Sequence, residues 1–219
     1  TISILCFSLL SIVSCKKEGC TDADATNYDE KAKKDDGSCI MYEVPSTYDF
    51  YDAAGNSTVS YTGQTDRLDM LGELIKHMKL ENNDTDSTNI LDDSVMHKMY
   101  SNSGSPFGSV TGTNGQVIGS STKDLESKTA GSPTVQAQFK TWMSEAAAAS
   151  SQATTGFFQN ADGLEWTQLV EKGLMTACFA YQITDNYLTD NKIGADVDNL
   201  NPGGSDLYTD MEHHWDEGY

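Results

Sequence analysis

Apolar residues recur at helical spacing in several stretches of this chain, separated by polar segments. Leu68, Leu71, Leu74, Ile75 and Met78 share one helical face, and Thr65 or Asp66 stands where an N-cap is expected. Leu91, Val95 and Met99 make a shorter stripe after the polar run ENNDTDSTN (81–89). Val135, Phe139, Trp142, Met143, Ala146 and Ala147 line one face between Pro133 and Ser150. From Gly163 to about Leu188, Trp166, Leu169, Val170, Gly173, Leu174, Ala177, Cys178 and Tyr181 form a continuous i, i+3, i+4, i+7 stripe. Such a stripe reads as core, and Gly173 and Ala177, four residues apart, leave room for a neighbouring helix. TKDLESKTA (122–130) predicts a brief helix, and a closing helix is expected to start at a cap on Asp206 and run past Tyr219.

Between these helices, Ser101 to Ser121 and NKIGADVDNLNPGGSD (191–206) read as long loops. STYDF (46–50) and STVSY (57–61) flank the turn-like DAAGN (52–56) and predict a short β-hairpin. The pattern as a whole predicts a mainly α fold: a helical bundle with long loops. A hydrophobic fraction of 37% over 219 residues can supply its core.

The formal charge of −19 argues against nucleic acid and against an anionic membrane surface as partners. It leaves cations, basic proteins and neutral ligands open, beside the plainer reading of an acidic, solvated surface. The first fifteen residues, TISILCFSLLSIVSC, form an apolar run too short to span a bilayer and about right for a signal sequence. Its end, Ile12-Val13-Ser14-Cys15, resembles the bacterial lipobox, whose cysteine is lipidated and becomes the mature N-terminus. Residue 16 is Lys rather than Asp, so nothing resembles the inner-membrane retention signal, and Cys15 to Glu18 is similar to a surface-export tag of some Gram-negative lipoproteins. The expected organisation is a signal peptide over 1–14, a lipid anchor and acidic module over 15–43, and a helical domain over 44–219 that continues beyond Tyr219. Anchoring through Cys15 implies the outer membrane or cell surface.

Of the five cysteines, Cys6 is then removed and Cys15 acylated. Cys20 and Cys39 are the natural disulfide pair in an oxidising compartment, while Cys178 lies in the apolar helical stripe and reads as a buried thiol. The segment GCTDADATNYDEKAKKDDGSC (19–39) resembles the short disulfide-closed acidic repeats of exported bacterial surface proteins. Asp22, Asp24, Asn27, Asp29, Asp35 and Asp36 place many hard oxygen ligands in a small loop, a chemistry that suits Ca²⁺. The spacing is not that of an EF-hand, and the alternative is a stapled spacer with solvated acids.

The closing stretch MEHHWDEGY (211–219) carries the candidate chemistry. On a helix His214 and Glu217 stand at i, i+3 and His213 and Glu217 at i, i+4, so His214-Trp215-Asp216-Glu217 satisfies HxxE. Together with TYDFYDAAGNSTVSYTGQTDRLDMLGEL (47–74), LESKTA (125–130) and GLEWTQLVEKGLMTACFAYQ (163–182), it resembles the imelysin-like lipoproteins of domain of unknown function 4856. The resemblance implies an imelysin-like helical bundle and an exported lipoprotein. It also implies a relation to a wider family associated with iron acquisition, whose GxHxxE motif was proposed to bind metal. Here Glu212 stands where the leading Gly is expected. On this reading His214 and Glu217, with His213 as an alternative ligand, face the bundle interior and hold a divalent transition metal, iron or zinc. Glu165, Glu171 and Gln182 are the nearest completing residues by type. The partner implied is an outer-membrane uptake receptor.

Two other classes compete. One is a structural or interaction lipoprotein in which Trp215 packs in the core while the acids and histidines of the closing helix bond one another. The other is a metallopeptidase, for which the sequence lacks H-E-x-x-H: adjacent histidines point about 100° apart on a helix, and His77 and His97 lie outside any ligand pattern. There is no G-x-S-x-G motif either.

Overall fold

The computed structural model describes residues 16–41, 50–79, 90–151 and 159–219. The lipobox and Cys15, the first four residues of the expected hairpin and the polar run 81–89 lie outside them. The chain divides into two compact units, Thr1–Asp49 and Phe50–Tyr219.

The second unit is mainly helical, and no sheet forms among the described residues. Helix α1 spans Thr62–Met78, α2 Asp93–Ser101, α3 Pro133–Ser150 and α4 Trp166–Leu174. They pack in a ring, α1 on α2 and α4, and α3 on α2 and α4. One apolar cluster fills the ring, with Leu74, Met78, Met96, Tyr100, Ile118, Leu125, Met143, Val170 and Leu174 almost fully buried. No helix among the described residues is long and apolar enough to cross a membrane.

The helix ends follow from local chemistry. Asp92 caps α2, its carboxylate accepting from the Ser94 amide, and Asn102 closes it in the left-handed conformation. Pro133 opens α3, where its missing N–H costs nothing. α1 departs from the expected cap. Its N-cap is Tyr61, whose carbonyl accepts from the Gln64 and Thr65 amides, and Thr65 and Asp66 lie inside the first turns. Asp66 is drawn inward instead, accepting from Asn114 Nδ2 at 3.1 Å and Ser121 Oγ at 2.6 Å. Leu68, expected on the buried face, is 56% exposed.

Among the described residues the expected hairpin shows one bridge, between Tyr51 and Ser57. Asp52 shapes the turn by accepting from the Ala54 and Asn56 amides, and across it the Asp52 amide donates to the Asn56 carbonyl and the Thr58 amide to the Phe50 carbonyl. The long loop after α2 contains a 3₁₀ turn, Ile118–Ser120, whose Ile118 is fully buried; a second, Glu126–Lys128, replaces the brief helix expected there.

The long stripe after Gly163 is helical, but not a uniform α-helix. α4 runs without a break into a π segment, Met175–Ala180, and after Tyr181 and Gln182 into a second, Ile183–Tyr187. Each carries a threonine that donates to the carbonyl four residues back: Thr176 to Lys172 at 3.1 Å and Thr184 to Ala180 at 3.0 Å. Such back-bonding competes with the backbone ladder and loosens it. The buried positions Trp166, Val170, Leu174 and Cys178 are spaced by four. Widening the coil keeps Cys178 in line with the core.

Helix α5, Asp190–Ile193, and α6, Asp210–Gly218, pack with the second π segment at the end of the unit. Thr209, not Asp206, caps α6: it accepts from the Glu212 amide while Glu212 accepts from the Thr209 amide at 2.7 Å. This reciprocal capping box satisfies two otherwise orphaned N–H groups.

In the first unit a disulfide joins Cys20 to Cys39. No helix or strand forms there among the described residues; isolated bridges and turns hold the chain.

Candidate functional site

Three elements converge beside the π segments. Gln64 and Arg67 come from the first turns of α1, Gln182 and Tyr187 from the π-containing helix, and Glu217 and Gly218 from the end of α6. With Leu68, Lys128, Cys178, Phe179 and Ile183 they line a cavity of about 140 Å³. π segments recur at functional sites because they re-aim side chains that a regular helix would point elsewhere.

A chain of polar contacts runs along one wall. Glu217 Oε1 accepts from Gln64 Nε2 at 2.7 Å, and the same nitrogen donates to Tyr187 Oη at 3.3 Å. Lys128 Nζ donates to Tyr187 Oη at 3.2 Å and lies 5.4 Å from that ring's centroid. Gln182 Nε2 holds the Lys128 carbonyl at 2.8 Å, which fixes the 3₁₀ turn against the π-containing helix. Arg67 donates through Nε to the Asp124 carbonyl at 2.9 Å and through Nη1 to Gly63 at 3.2 Å. Among the described residues Cys178 is the free thiol, fully buried as expected; burial pushes its pKa up to about 11 against the opposing pull of Arg67 and Lys128. Burial thus disfavours its reactive thiolate at neutral pH.

The HxxE residues divide. Glu217 reaches the cavity, but its nearest imidazole is His213, with Nε2 3.7 Å from Oε2. The His213 ring stacks on Tyr208, and its Nδ1 is buried without a hydrogen-bond partner. His214 Nδ1 sits 2.5 Å from the Asp210 carbonyl of its own helix, as i, i+4 geometry allows. Trp215 is 50% exposed, so it does not pack in the core as the structural alternative required. Burial raises the Asp216 pKa, partly offset by the Ser60 amide that it accepts.

Of the completing residues, Gln182 alone lines the cavity with Glu217. Glu171 faces Lys79 and Lys172, and Glu165 stands at the N-cap of α4. His97 bridges α2 to α3 through the Lys140 carbonyl at 3.0 Å, and burial lowers the His77 pKa. No group of three or more His, Cys, Asp or Glu side chains is placed to hold a metal ion among the described residues.

In the acidic module the candidate Ca²⁺ ligands serve turns. Asp22, Asp29, Asp35 and Asp36 each accept a backbone amide two residues on, at 2.9–3.0 Å. Asn27 bridges the Ser38 carbonyl and the Ile40 amide. Lys17 beside Asp29 holds that carboxyl below its ordinary range, and hydrogen bonds from Ser38 do the same for Asp36. Asp24 is exposed at the loop surface.

Gln64, Arg67, Lys128 and Tyr187 escape sequence reasoning, because no spacing links an α1 turn, a 3₁₀ turn and a π segment. The one available signal was that TGQTDRL and LESKTA are parts of the quoted family pattern whose polar residues no core explains. No curated protein and no solved structure matches the chain. The profile of one family matches residues 45–219, and on that match the chain belongs to the family described as domain of unknown function (DUF4856).

Proposed function

We propose that this is an exported, lipid-anchored protein of the outer membrane or cell surface whose helical domain binds a small ligand in the cavity beneath α6, in the service of uptake. The cavity itself carries the reading: apolar walls, with a few polar groups converging from separate elements, are the ordinary make-up of a ligand site. Anchoring rests on the lipobox-like Ile12-Val13-Ser14-Cys15. The association with iron uptake rests on the imelysin-like pattern. A metal version of the reading has His213 and Glu217 as its nearest pair and needs further ligands to complete a coordination shell. In the module, Ca²⁺ would take the carboxylate oxygens that the turns leave over, with the weak affinity of extracellular sites.

The test uses the full chain and ligand-observed NMR with a mixture of small polar and apolar probes. Saturation should transfer to some probes and be lost in Leu68→Trp, which fills the rim of the cavity. Transfer to none, or transfer indifferent to Leu68→Trp, sinks the reading. A fatty-acid probe fed to cells should label the wild type and not Cys15→Ser; equal labelling would remove the anchor.

A further inference from the structure

We propose that the cavity binds a small organic monoanion, its charged end held by Arg67, Lys128 and the Tyr187 hydroxyl and its apolar part lying against Phe179 and Ile183. The inference rests on the ligand-binding reading of that cavity and adds the chemistry of its occupant.

Charge is the first argument. The chain has 33 acidic residues against 14 basic ones. Yet neither Arg67 nor Lys128 has a carboxylate within ion-pair distance among the described residues. Arg67 is only 8% exposed, and a buried cation without a counter-charge is costly. The neighbouring acids are engaged elsewhere. The Asp124 carboxylate accepts from the Ser127 amide and hydroxyl, Glu126 pairs with Lys140 at 2.6 Å, and Glu217 takes the Gln64 amide. Of the charged side chains that line the cavity, two are cations and one, Glu217, is a carboxylate, an imbalance that suits a monoanion. Both cations line the cavity together with Cys178.

Unused donors are the second argument. Two of the five guanidinium N–H groups are spent on carbonyls. The others have no protein acceptor among the described residues. The orientation of Gln64 is forced, since Glu217 can only accept, so Gln64 presents its amide nitrogen to both Glu217 and Tyr187. Tyr187 Oη thus receives from Gln64 and from Lys128, and its own proton is left to donate. Arginine, lysine and phenol donors that lack an acceptor fit a carboxylate. Size sets the rest: at a liquid share of about 30 Å³ per water, 140 Å³ equals about five water-sized groups, which suits a short-chain carboxylate.

An NMR chemical-shift titration of the full chain with sodium butyrate, butyramide and inorganic phosphate tests this. Butyrate should saturate at least about tenfold more tightly than its uncharged amide, the step expected for hydrogen bonds to a charged group. Phosphate should bind more weakly than butyrate. Lys128→Gln should remove most of the preference for butyrate over butyramide, and Tyr187→Phe part of it. Arg67→Gln also breaks two carbonyl bonds, so Lys128→Gln carries the decision. Equal binding of butyrate and butyramide, or an unchanged preference in Lys128→Gln, overturns the anion while leaving the cavity as a ligand site. Phosphate binding more tightly than butyrate overturns the organic part. Failure of butyrate and butyramide to bind overturns the proposal, and the reading beneath it falls too only if the wider probe mixture also fails.

Discussion

A methyl group built on Gly173 would lie 2.8 Å from Phe139 Cε1 and 3.0 Å from Cζ. Phe139 has little freedom to retreat: it is buried, stands edge-on to Trp142 at 5.0 Å and packs on Tyr100 at 6.2 Å. Gly173→Ala therefore sets a helix-propensity gain of up to about 1 kcal/mol against an overpacking cost of about 1–3 kcal/mol. The cost should win, lowering the midpoint of urea unfolding with little change in its slope; a raised midpoint would show that the ring yields. The close approach was legible from two small residues four apart in an apolar stripe. The fate of Asp66 was not. An aspartate just ahead of a stripe reads as a cap, and what pulls it inward is a loop some fifty residues later, through Asn114 and Ser121. Local chemistry identifies a residue able to cap; tertiary partners decide whether it does.

Helix α6 brings Glu217 to the cavity, and its register depends on its first turn. Thr209 is buried, accepts the Glu212 amide and donates to Asn199 Oδ1 at 3.1 Å. Thr209→Ala should cost about 1 kcal/mol, the usual loss of a cap, and hydrogen exchange should quicken at the amides of Glu212 to Glu217. Unchanged exchange there would mean that packing alone holds the helix. Thr209-Asp210-Met211-Glu212 is a T-x-x-E signature visible in the sequence, and it prevails over Asp206 because it satisfies two N–H groups rather than one. The bounds of α3 were legible for a like reason: Pro133 opens it, and Ser150 ends it with a side chain that accepts the Leu91 amide at 2.8 Å. The π segments were hidden. Apolar spacing reports which face is buried, but Thr176 and Thr184 look like ordinary helical residues until their hydroxyls are seen on the carbonyls four back. The candidate site sits beside these segments, so only Glu217 and Gln182 could be read in advance.

Over the whole molecule the two units are held by different physics. Phe50–Tyr219 has one continuous apolar core, whose burial at roughly 25 cal/mol per Å² of apolar surface drives its folding. In the acidic unit the buried apolar residues are Cys20, Ala25 and Ala32 among those described, too little to fold a chain by burial. Its ion pairs, Lys17–Asp29 and Lys34–Glu18, are solvent-exposed and contribute little. Its carboxylates and Asn27 stabilise turns only once the loop is closed. The Cys20–Cys39 bridge therefore carries the module. It spans a separation of 19 residues, which by the chain-entropy estimate contributes roughly 3 kcal/mol, more than the turns can replace. Reduction should collapse the amide dispersion of residues 16–41 in an NMR spectrum. Far-ultraviolet dichroism, which reports the helices of the other unit, should stay as it was, and oxidation should restore the lost signals. If the dispersion of 16–41 survives in reductant, the Asx turns hold the module unaided and the bridge is secondary.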